Sequence, residues 1–327
     1  MAATVESVVV SGIDAEVTTY LRALGVPEPQ LTPMHAGCHN KVYHLGNAAD
    51  VCTAQEAVVR VSTCPEAARA TMANAAYLEG TPAPRIEHMG NLALSGSLIV
   101  IEERIQGDRK DLSSQDPGKL ARAVASIHER TSSCFSGTAA APPLCSGTYG
   151  DYLSAMLTES VMGRLRNGSI ELSCEARDLV VAGMDRLYGL ISARPSLFSD
   201  PKRRFSLLHH DLNPDNMLWR ADGSVRFIDW NTTFGDPADD VDYVVTNNDV
   251  TPGFKEAFLV AYEHAMGRSD VIERVGAYTL KNQLDDLVWV LDMQRRCPDD
   301  VQYGQEAYEK RLVALISTLM ATPELRK

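Results

Sequence analysis

The sequence contains little that would mark a secreted, membrane-bound or nucleic-acid-binding protein. No stretch approaches roughly 18 consecutive apolar residues, the length typical of a membrane-spanning helix, so we expect no transmembrane segment and no membrane partner. The first residues, MAATVES, lack a basic segment followed by an apolar core, which argues against a secretory signal peptide. A formal charge of −12 argues against binding to nucleic acid or to anionic membranes.

The seven cysteines are odd in number and include no Cys-x-x-Cys pair. They predict reduced thiols in a cytoplasmic protein rather than a disulfide framework or a zinc site. The chain has 327 residues, 45% hydrophobic and 23% charged, which is typical of a soluble globular protein and sufficient for two lobes with separate cores. The acidity is compatible with a cationic ligand, although many acidic proteins owe their charge to solubility alone.

The most informative stretch runs from Leu207 to Trp230. It consists of LLHHDLNPDNMLW, a turn, and then VRFIDW. Two β-prone segments that flank a polar loop bring the side chains of that loop together at one end of a small hairpin. There, one carboxylate can orient and deprotonate a hydroxyl group, while an amide oxygen and a second carboxylate hold Mg²⁺, which prefers hard oxygen ligands. An ordinary hairpin with a polar turn is the alternative interpretation.

The order and spacing of four residues argue against that alternative. His209, Asp211 and Asn216 follow the His-x-Asp-x-x-x-x-Asn pattern of kinase catalytic loops, and Asp229 ends the next apolar run. With Ile-Asp-Trp in place of Asp-Phe-Gly, a proline in the loop and Gly-Asp-Pro at 235–237, the stretch resembles the aminoglycoside phosphotransferase and choline kinase family. The resemblance implies a protein-kinase-like fold and phosphorylation of small molecules with ATP (or GTP) and Mg²⁺.

The same resemblance implies a role for each residue of the loop. Asp211 would be the catalytic base, and Asn216 and Asp229 would be the metal ligands. His209 is expected to serve catalysis by bracing the loop through hydrogen bonds rather than by transferring a proton. A catalytically silent nucleotide-binding regulatory module is disfavoured because such modules usually lose one of the base or metal residues. A protein kinase is disfavoured because no Ala-Pro-Glu segment follows Asp229.

Two earlier segments resemble the nucleotide-binding parts of the family. The pattern Gly-x-x-Asn-x-Val-Tyr at 37–43 resembles the phosphate loop, in which glycine lets backbone N–H groups approach phosphate oxygens. With one glycine there, Gly37, His39 and Asn40 are expected to share the phosphate contacts, although by itself the segment would indicate a plain hairpin turn. Arg60 stands where the family places its phosphate-gripping cation, and its planar fork suits bidentate contacts. An exposed arginine on an edge strand is the alternative.

The cation of that strand normally pairs with a glutamate of the following helix. We predict this helix at 66–79, yet Glu66 and Glu79 lie at its two ends, so the ion pair stays unassigned. A later apolar strand resembles the hinge between lobes, where backbone groups near Glu103 and Ile105 would contact the adenine edge.

Together, these motifs predict an α+β, bilobal protein-kinase-like fold. A small, β-rich N-terminal lobe (1–105) would bind the nucleotide, and a larger, mainly helical C-terminal lobe (106–327) would carry catalysis and substrate binding. Helical periodicity and caps predict helices at 13–24, 151–165, 173–194, 253–267, 270–296 and 304–321.

Several polar residues of the second lobe are predicted to be structural. Asp240 would brace the catalytic loop, and His128 would pack in the core. No catalytic role is assigned to the neighbouring acids Asp236, Asp239 and Asp242.

A possible substrate face lies in the helix predicted at 270–296. Asp285, Asp286 and Trp289 place acids beside an aromatic ring, which can receive an ammonium group. A solvated face next to a core aromatic is the usual alternative.

The expected reaction is transfer of the γ-phosphoryl group of ATP to a hydroxyl group of a small molecule, with the chain acting as a monomer or homodimer. An aminoglycoside or another hydroxyl-bearing antibiotic is the first choice, because the resemblance and the acidity both allow a polycationic ligand. Choline, ethanolamine, a sugar or a nucleoside-like compound is the alternative.

Overall fold

The computed structural model describes residues 3–34, 40–48, 56–62, 75–135, 147–158, 174–200, 204–247 and 250–296. Contacts divide the chain into two compact units, one made of Met1–Ser126 with Asp211–Thr232 and the other of Ile127–His210 with Thr233–Lys327. The hairpin predicted to carry catalysis, within residues 211–232, therefore belongs to the same unit as the N-terminal part of the chain. The lobe boundary near residue 105 stays a prediction.

The first unit contains a five-stranded antiparallel sheet in the order β1-β2-β3-β5-β4. Its strands are β1 (Gln30–Pro33), β2 (Asn40–Gly46), β3 (Ala57–Ser62), β4 (Ile86–Asn91) and β5 (Leu98–Glu103). One face of this sheet is packed against helix α1 (Ala3–Ala23).

The alternation of side chains along the strands separates this core from a polar face. On α1, Ile13, Val17 and Leu21 recur every four residues and are buried against strand residues such as Val59 and Val61. Successive strand residues point to opposite faces, so Arg60, between these two valines, points away from that core. The sheet thus presents its cation on the face that α1 does not cover.

A second element of this unit is the hairpin of β8 (Met217–Trp219) and β9 (Val225–Phe227), which follows a 3₁₀ turn at Pro214–Asn216. The Phe227 N–H donates to the Pro82 carbonyl over 3.0 Å, and the Arg226 guanidinium donates to the Pro82 and Ala83 carbonyls. These bonds attach the hairpin to the segment just before β4.

The second unit combines helices with a small sheet. The sheet has the order β10-β7-β6, with β6 at Thr131–Ser132, β7 at Phe205–Leu208 and β10 at Thr233–Gly235. The main helices, in chain order, are α2 (Pro117–His128, which crosses from the first unit), α3 (Tyr149–Leu157), α4 (Cys174–Ala193), α5 (Pro195–Phe198), α6 (Pro237–Thr246), α7 (Pro252–Met266) and α8 (Asp270–Arg296).

Local sequence explains how α6 begins beside β10. Asp236 caps the helix by accepting a hydrogen bond from the Ala238 N–H, and Pro237 fixes the first turn. Gly235 precedes the cap at a point where an added Cβ would lie 2.4 Å from the Tyr152 ring, so only glycine fits.

The helix predictions are confirmed for α4, α7 and α8 within one residue at the described ends. The predicted start of the first helix at residue 13 was wrong, because α1 already begins at Ala3. The segment before residue 13 is rich in valine and contains Gly12, and these residues have low helix propensity. Most of the helix predicted at 66–79, namely residues 66–74, lies outside the described residues. The helix predicted at 304–321 lies wholly outside them. Among the helices that are described, none combines the length and apolar character that crossing a membrane requires.

Candidate active site

The catalytic loop holds the Asp211 carboxylate between two asparagines. The Asn213 amide donates to Asp211 Oδ1 over 2.8 Å, and the Asn216 amide donates to Asp211 Oδ2 over 2.9 Å and to the Asp211 carbonyl over 3.0 Å. Because the Asn216 nitrogen faces Asp211, its amide oxygen faces away from that carboxylate. The two asparagines thereby orient the Asp211 carboxylate, and the Asn216 side-chain oxygen points away from it.

Asn213 is a site residue that the sequence analysis did not identify. It caps the 3₁₀ turn, since its side-chain oxygen accepts the Asn216 N–H over 3.2 Å. One asparagine thus orders the turn and holds the carboxylate. The sequence signal for this role was that Asn213 precedes a proline, a position where asparagine often forms turns.

Asp229 follows β9 in a left-handed backbone conformation with φ of 56°. The Ile228 N–H donates to the Asn216 carbonyl over 2.9 Å, which joins the end of β9 to the catalytic loop. The Asp229 carboxylate is 51% exposed and lies 3.4 Å from the Asn40 amide nitrogen and 3.7 Å from Arg60 Nη1. A residue with a Cβ in this conformation is strained, and such strain is concentrated at functional sites.

The carboxylate partner of Arg60 on the sheet is Glu102. Arg60 Nη2 lies 3.6 Å from Glu102 Oε2, and both side chains are nearly buried. Arg60 is opposite Val100 in the register of β3 and β5, so Glu102, two residues further along, is its diagonal neighbour on the same face. Burial raises the pKa of Glu102, the Arg60 charge opposes that rise, and the nearby Asp229 adds to it. The helix predicted at 66–79, where a partner for Arg60 was expected but not assigned, lies largely outside the described residues.

The Arg60 guanidinium therefore joins two acids, one buried and one exposed. Its Nε atom is buried and has no hydrogen-bond partner among the described residues. A buried donor without a partner costs free energy, so such an atom indicates a missing acceptor. A phosphate oxygen is the acceptor that an arginine fork matches best.

The predicted hinge lies at the end of β5. The Glu103 N–H donates to the Arg85 carbonyl over 2.9 Å, and the Glu103 carboxylate lies 3.5 Å from Arg226. Of the Glu103 backbone groups, only the carbonyl is therefore left for a base edge. Ile105 lies in the connector after β5.

Asp240 braces the chain just before Asp211, as predicted. Its two carboxylate oxygens accept the His209 and His210 N–H groups, each over 2.7 Å. The His128 ring lies 3.2 Å from Asp240 and 2.6 Å from the Tyr262 hydroxyl, which confirms its packing role. His209 itself is fully buried, in agreement with a bracing role.

A family model described as the phosphotransferase enzyme family matches residues 30–278. The chain belongs to that family. The sequence matches none of the curated proteins with which it was compared.

Solved structures of small-molecule kinases share the fold. A thermostable mutant of the aminoglycoside phosphotransferase APH(4)-Ia, in a ternary complex with AMP-PNP and hygromycin B, is 16% identical, with a TM-score of 0.63 over 95% of this chain and 98% of that chain. A choline/ethanolamine kinase family protein from Mesorhizobium loti is 18% identical, with a TM-score of 0.63 over 96% of each chain. An ethanolamine kinase from Plasmodium vivax is 14% identical, with a TM-score of 0.62 over 91% and 83%.

These similarities confirm the predicted α+β, protein-kinase-like fold. They also confirm the resemblance to the aminoglycoside phosphotransferase and choline kinase family. As a member of the phosphotransferase enzyme family, the chain is a small-molecule phosphotransferase.

Within this phosphotransferase, the first unit contains seven described residues of the predicted site, namely Asn40, Arg60, Glu103, Ile105, Asp211, Asn216 and Asp229. Gly37 and His39 lie outside the described residues. Among the described residues, no group of three or more His, Cys, Asp or Glu side chains is arranged to hold a metal ion. The predicted metal ligands combine one carboxylate, Asp229, with one amide oxygen, Asn216, and this small set of hard donors fits Mg²⁺, which keeps several waters and phosphate oxygens.

The three predicted substrate residues lie on α8, in the second unit. Asp285 lies 3.1 Å from the buried Lys281 ammonium group, so its carboxylate already forms an ion pair within the protein. Asp286 is exposed, and Trp289 is half-buried. Their contact with a substrate stays a prediction.

Proposed function

We propose that this phosphotransferase moves the γ-phosphoryl group of ATP (or GTP) to a hydroxyl group of a small molecule. The observation that carries the proposal is the linked set of Asp211, Asn216, Asp229 and Arg60 within one compact unit. The Asn216 side chain bonds to Asp211, its carbonyl accepts the N–H of Ile228, and the next residue, Asp229, lies near the Arg60 guanidinium.

Asp211 acts on the acceptor. Its carboxylate, fixed by Asn213 and Asn216, accepts a hydrogen bond from the acceptor hydroxyl and takes its proton as the oxygen attacks the γ-phosphorus. The new O–P bond forms as the bond from the γ-phosphorus to the β,γ-bridging oxygen breaks, and the nucleoside diphosphate leaves. Positioning and charge neutralisation supply most of the rate enhancement in such transfers.

Arg60 and Asn40 act on the nucleotide. The Arg60 guanidinium, paired with Glu102, would donate to phosphate oxygens from its Nη groups and from its Nε, which has no partner among the described residues. Asn216 and Asp229 would hold Mg²⁺, which, when bound, neutralises negative charge that develops on the phosphate oxygens. Glu103 and Ile105 would contact the adenine edge through backbone groups.

For the acceptor, our first choice is an aminoglycoside or another hydroxyl-bearing antibiotic, so that phosphorylation would confer resistance. The relatives that bind hygromycin B and the net charge of −12 support a polycationic acceptor. Asp285, Asp286 and Trp289 are the candidate receivers of an ammonium group. A metabolic acceptor such as choline or ethanolamine is the second candidate, supported by the choline/ethanolamine kinase likeness.

The deciding experiment is a screen of nucleotide consumption by the purified chain with MgATP and MgGTP, against one panel of aminoglycosides and one of choline, ethanolamine, sugars and nucleosides. Turnover with one panel, confirmed by the mass of a phosphorylated product, identifies the acceptor class. Asp211→Asn is the control and should lower kcat by about three orders of magnitude or more while nucleotide binding persists.

Two results would contradict the proposal. Near wild-type turnover by Asp211→Asn would remove the assigned base. Tight nucleotide binding without phosphorylation of any compound in either panel would favour a nucleotide-binding regulatory module.

A further inference from the structure

The turn that carries the proposed metal ligand Asn216 is defined by the bonds that its backbone carbonyls accept. The Asn213 carbonyl accepts the Asn216 N–H over 3.0 Å, and the Pro214 carbonyl accepts the Met217 N–H. The Asn216 carbonyl accepts the Ile228 N–H over 2.9 Å. Three of these four consecutive carbonyls are therefore bonded within the catalytic loop and its hairpin.

The fourth carbonyl, that of Asp215, is bonded by a side chain from another part of the chain. Arg109 Nε donates to it over 2.9 Å. The Asp215 carbonyl belongs to the same planar peptide unit as the Asn216 N–H, so a bond that fixes this oxygen also fixes the plane from which Asn216 begins. Arg109 therefore contacts the peptide unit of the residue that holds the Asp211 carboxylate and is proposed to bind the metal ion.

Arg109 can reach this turn because the connector after β5 is attached to β8. Asp108 and Trp219 exchange two backbone hydrogen bonds, of 3.0 and 2.9 Å, as in an antiparallel pair. Gly107 allows this close approach, since a Cβ there would lie 3.0 Å from the Trp219 carbonyl oxygen. The connector and the catalytic loop both belong to the first unit. The pairing with β8 thus places the next residue, Arg109, beside the turn.

We propose that Arg109 is a positioning residue for the metal ligand Asn216. Its guanidinium keeps the peptide unit between Asp215 and Asn216 in the orientation from which the Asn216 side chain bonds Asp211 through its nitrogen and presents its oxygen to a metal ion. The inference rests on the proposed function, because Asn216 is a metal ligand only under that proposal. The Arg109 side chain is 63% exposed, so its removal disturbs the turn without opening a cavity in the core.

The test measures how much a metal ion tightens nucleotide binding. The Kd for AMP-PNP is determined by titration calorimetry with the full chain, once with saturating Mn²⁺ and once with EDTA. The ratio of the two values reports how well the protein holds the metal ion beside the nucleotide. The Kd in EDTA reports nucleotide binding without the metal ion.

Three variants are compared with wild type. Arg109→Met removes the donor and keeps an apolar stem, whereas Arg109→Lys keeps a cation that can donate to a carbonyl. Arg220→Met is the matched control, because it removes the same charge from an exposed arginine that directly follows β8, outside the turn that carries Asn216.

In Arg109→Met we expect the gain in affinity from Mn²⁺ to fall about tenfold, the lower end of the roughly 10–100-fold losses that follow removal of a group supporting a metal ligand. The Kd in EDTA should stay within about twofold of wild type, which a general distortion of the nucleotide site would not allow. Arg109→Lys should recover part of the gain, and Arg220→Met should match wild type.

An equal gain from Mn²⁺ in wild type and in Arg109→Met would reject the role of Arg109 alone. The same loss in Arg220→Met would also reject it, because the effect would then come from surface charge. If wild type binds AMP-PNP no more tightly with Mn²⁺ than with EDTA, the proposed metal site fails and the role of Arg109 fails with it. If Arg109→Met does not fold, Arg109→Gln replaces it and the same comparison decides.

Discussion

At the scale of single residues, the site depends on how Arg60 is shared between two acids. Glu102, a nearly buried neighbour on the same face of the sheet, pairs with one end of the guanidinium, and the half-exposed Asp229 carboxylate lies near the other. A bound nucleotide would compete for the end near Asp229 only. Among the described residues, Glu102 is thus the sheet carboxylate that pairs with this cation.

The first prediction concerns Glu102→Gln. Without a carboxylate behind it, the Arg60 fork loses its anchor, and we expect the Kd for MgATP to rise about tenfold, which corresponds to about 1.4 kcal/mol. Titration calorimetry measures this change. Glu87→Gln is the control, because Glu87 pairs with the half-exposed Arg85 on the same sheet and should leave the Kd unchanged. Equal affinities of wild type and Glu102→Gln would show that Arg60 needs no such anchor.

At the scale of elements, α6 is held against α8 by buried charges. Asp236 at the start of α6 forms a salt bridge with Arg274 of α8, and neither side chain is exposed. The Arg274 guanidinium also lies 4.3 Å from the centre of the Tyr149 ring. Since α6 carries Asp240, which accepts the His209 and His210 N–H groups, this layer of charges supports the end of the segment that follows β7 in the same unit.

The second prediction concerns the bond between Asp236 and Arg274. Asp236→Asn retains a capping side chain but leaves the buried guanidinium without one of its carboxylates, and we expect the free energy of unfolding to fall by about 3 kcal/mol. Urea denaturation measures this loss. The double variant Asp236→Asn with Arg274→Met should be less destabilised than the sum of the single variants. Strict additivity of the two changes would contradict a coupled pair.

The third prediction concerns pH. Burial raises the pKa of Asp242 on α6 from 3.8 to about 7, although hydrogen bonds from Thr279 and Asn282 oppose the rise. A raised folded-state pKa means that this group favours the folded state fully below about pH 4, and that its contribution is lost as the pH rises through 7. The Tm of wild type minus that of Asp242→Asn should therefore fall between about pH 4 and pH 7.

Asp222→Asn provides the control for this pH series. Hydrogen bonds from Ser224 lower the pKa of Asp222, so its contribution cannot decline as the pH rises over that interval. A difference in Tm between wild type and Asp242→Asn that stays constant with pH would show that Asp242 is ionised in the folded protein throughout.

At the scale of the whole molecule, the fold and the family could be predicted from the sequence because the motif residues lie close together in the chain. The spacing of His209, Asp211, Asn216 and Asp229 is visible in a single sequence, and their catalytic roles stay a prediction. Asp240 and His128 were also assigned correctly, since their structural roles follow from the family pattern.

Longer-range pairings were beyond the sequence. Glu102 meets Arg60 only because β3 and β5 pair in a particular register, and nothing local fixes that register. The attachment of the catalytic hairpin to the N-terminal part of the chain depends on Arg226 and the carbonyls of Pro82 and Ala83. Each of these features depends on tertiary contacts rather than on local propensity.

The proposed phosphoryl transfer requires that Asp211, Asn216, Asp229 and Arg60 form a single nucleotide pocket. A crystal structure of the chain with AMP-PNP and Mn²⁺, used for its anomalous signal in place of Mg²⁺, tests this directly. We predict a Mn²⁺ peak about 2.0–2.3 Å from both the Asn216 amide oxygen and the Asp229 carboxylate, with phosphate oxygens bonded to Arg60. If no Mn²⁺ peak lies near these two ligands, or if the nucleotide phosphates do not contact Arg60, the proposed pocket is wrong.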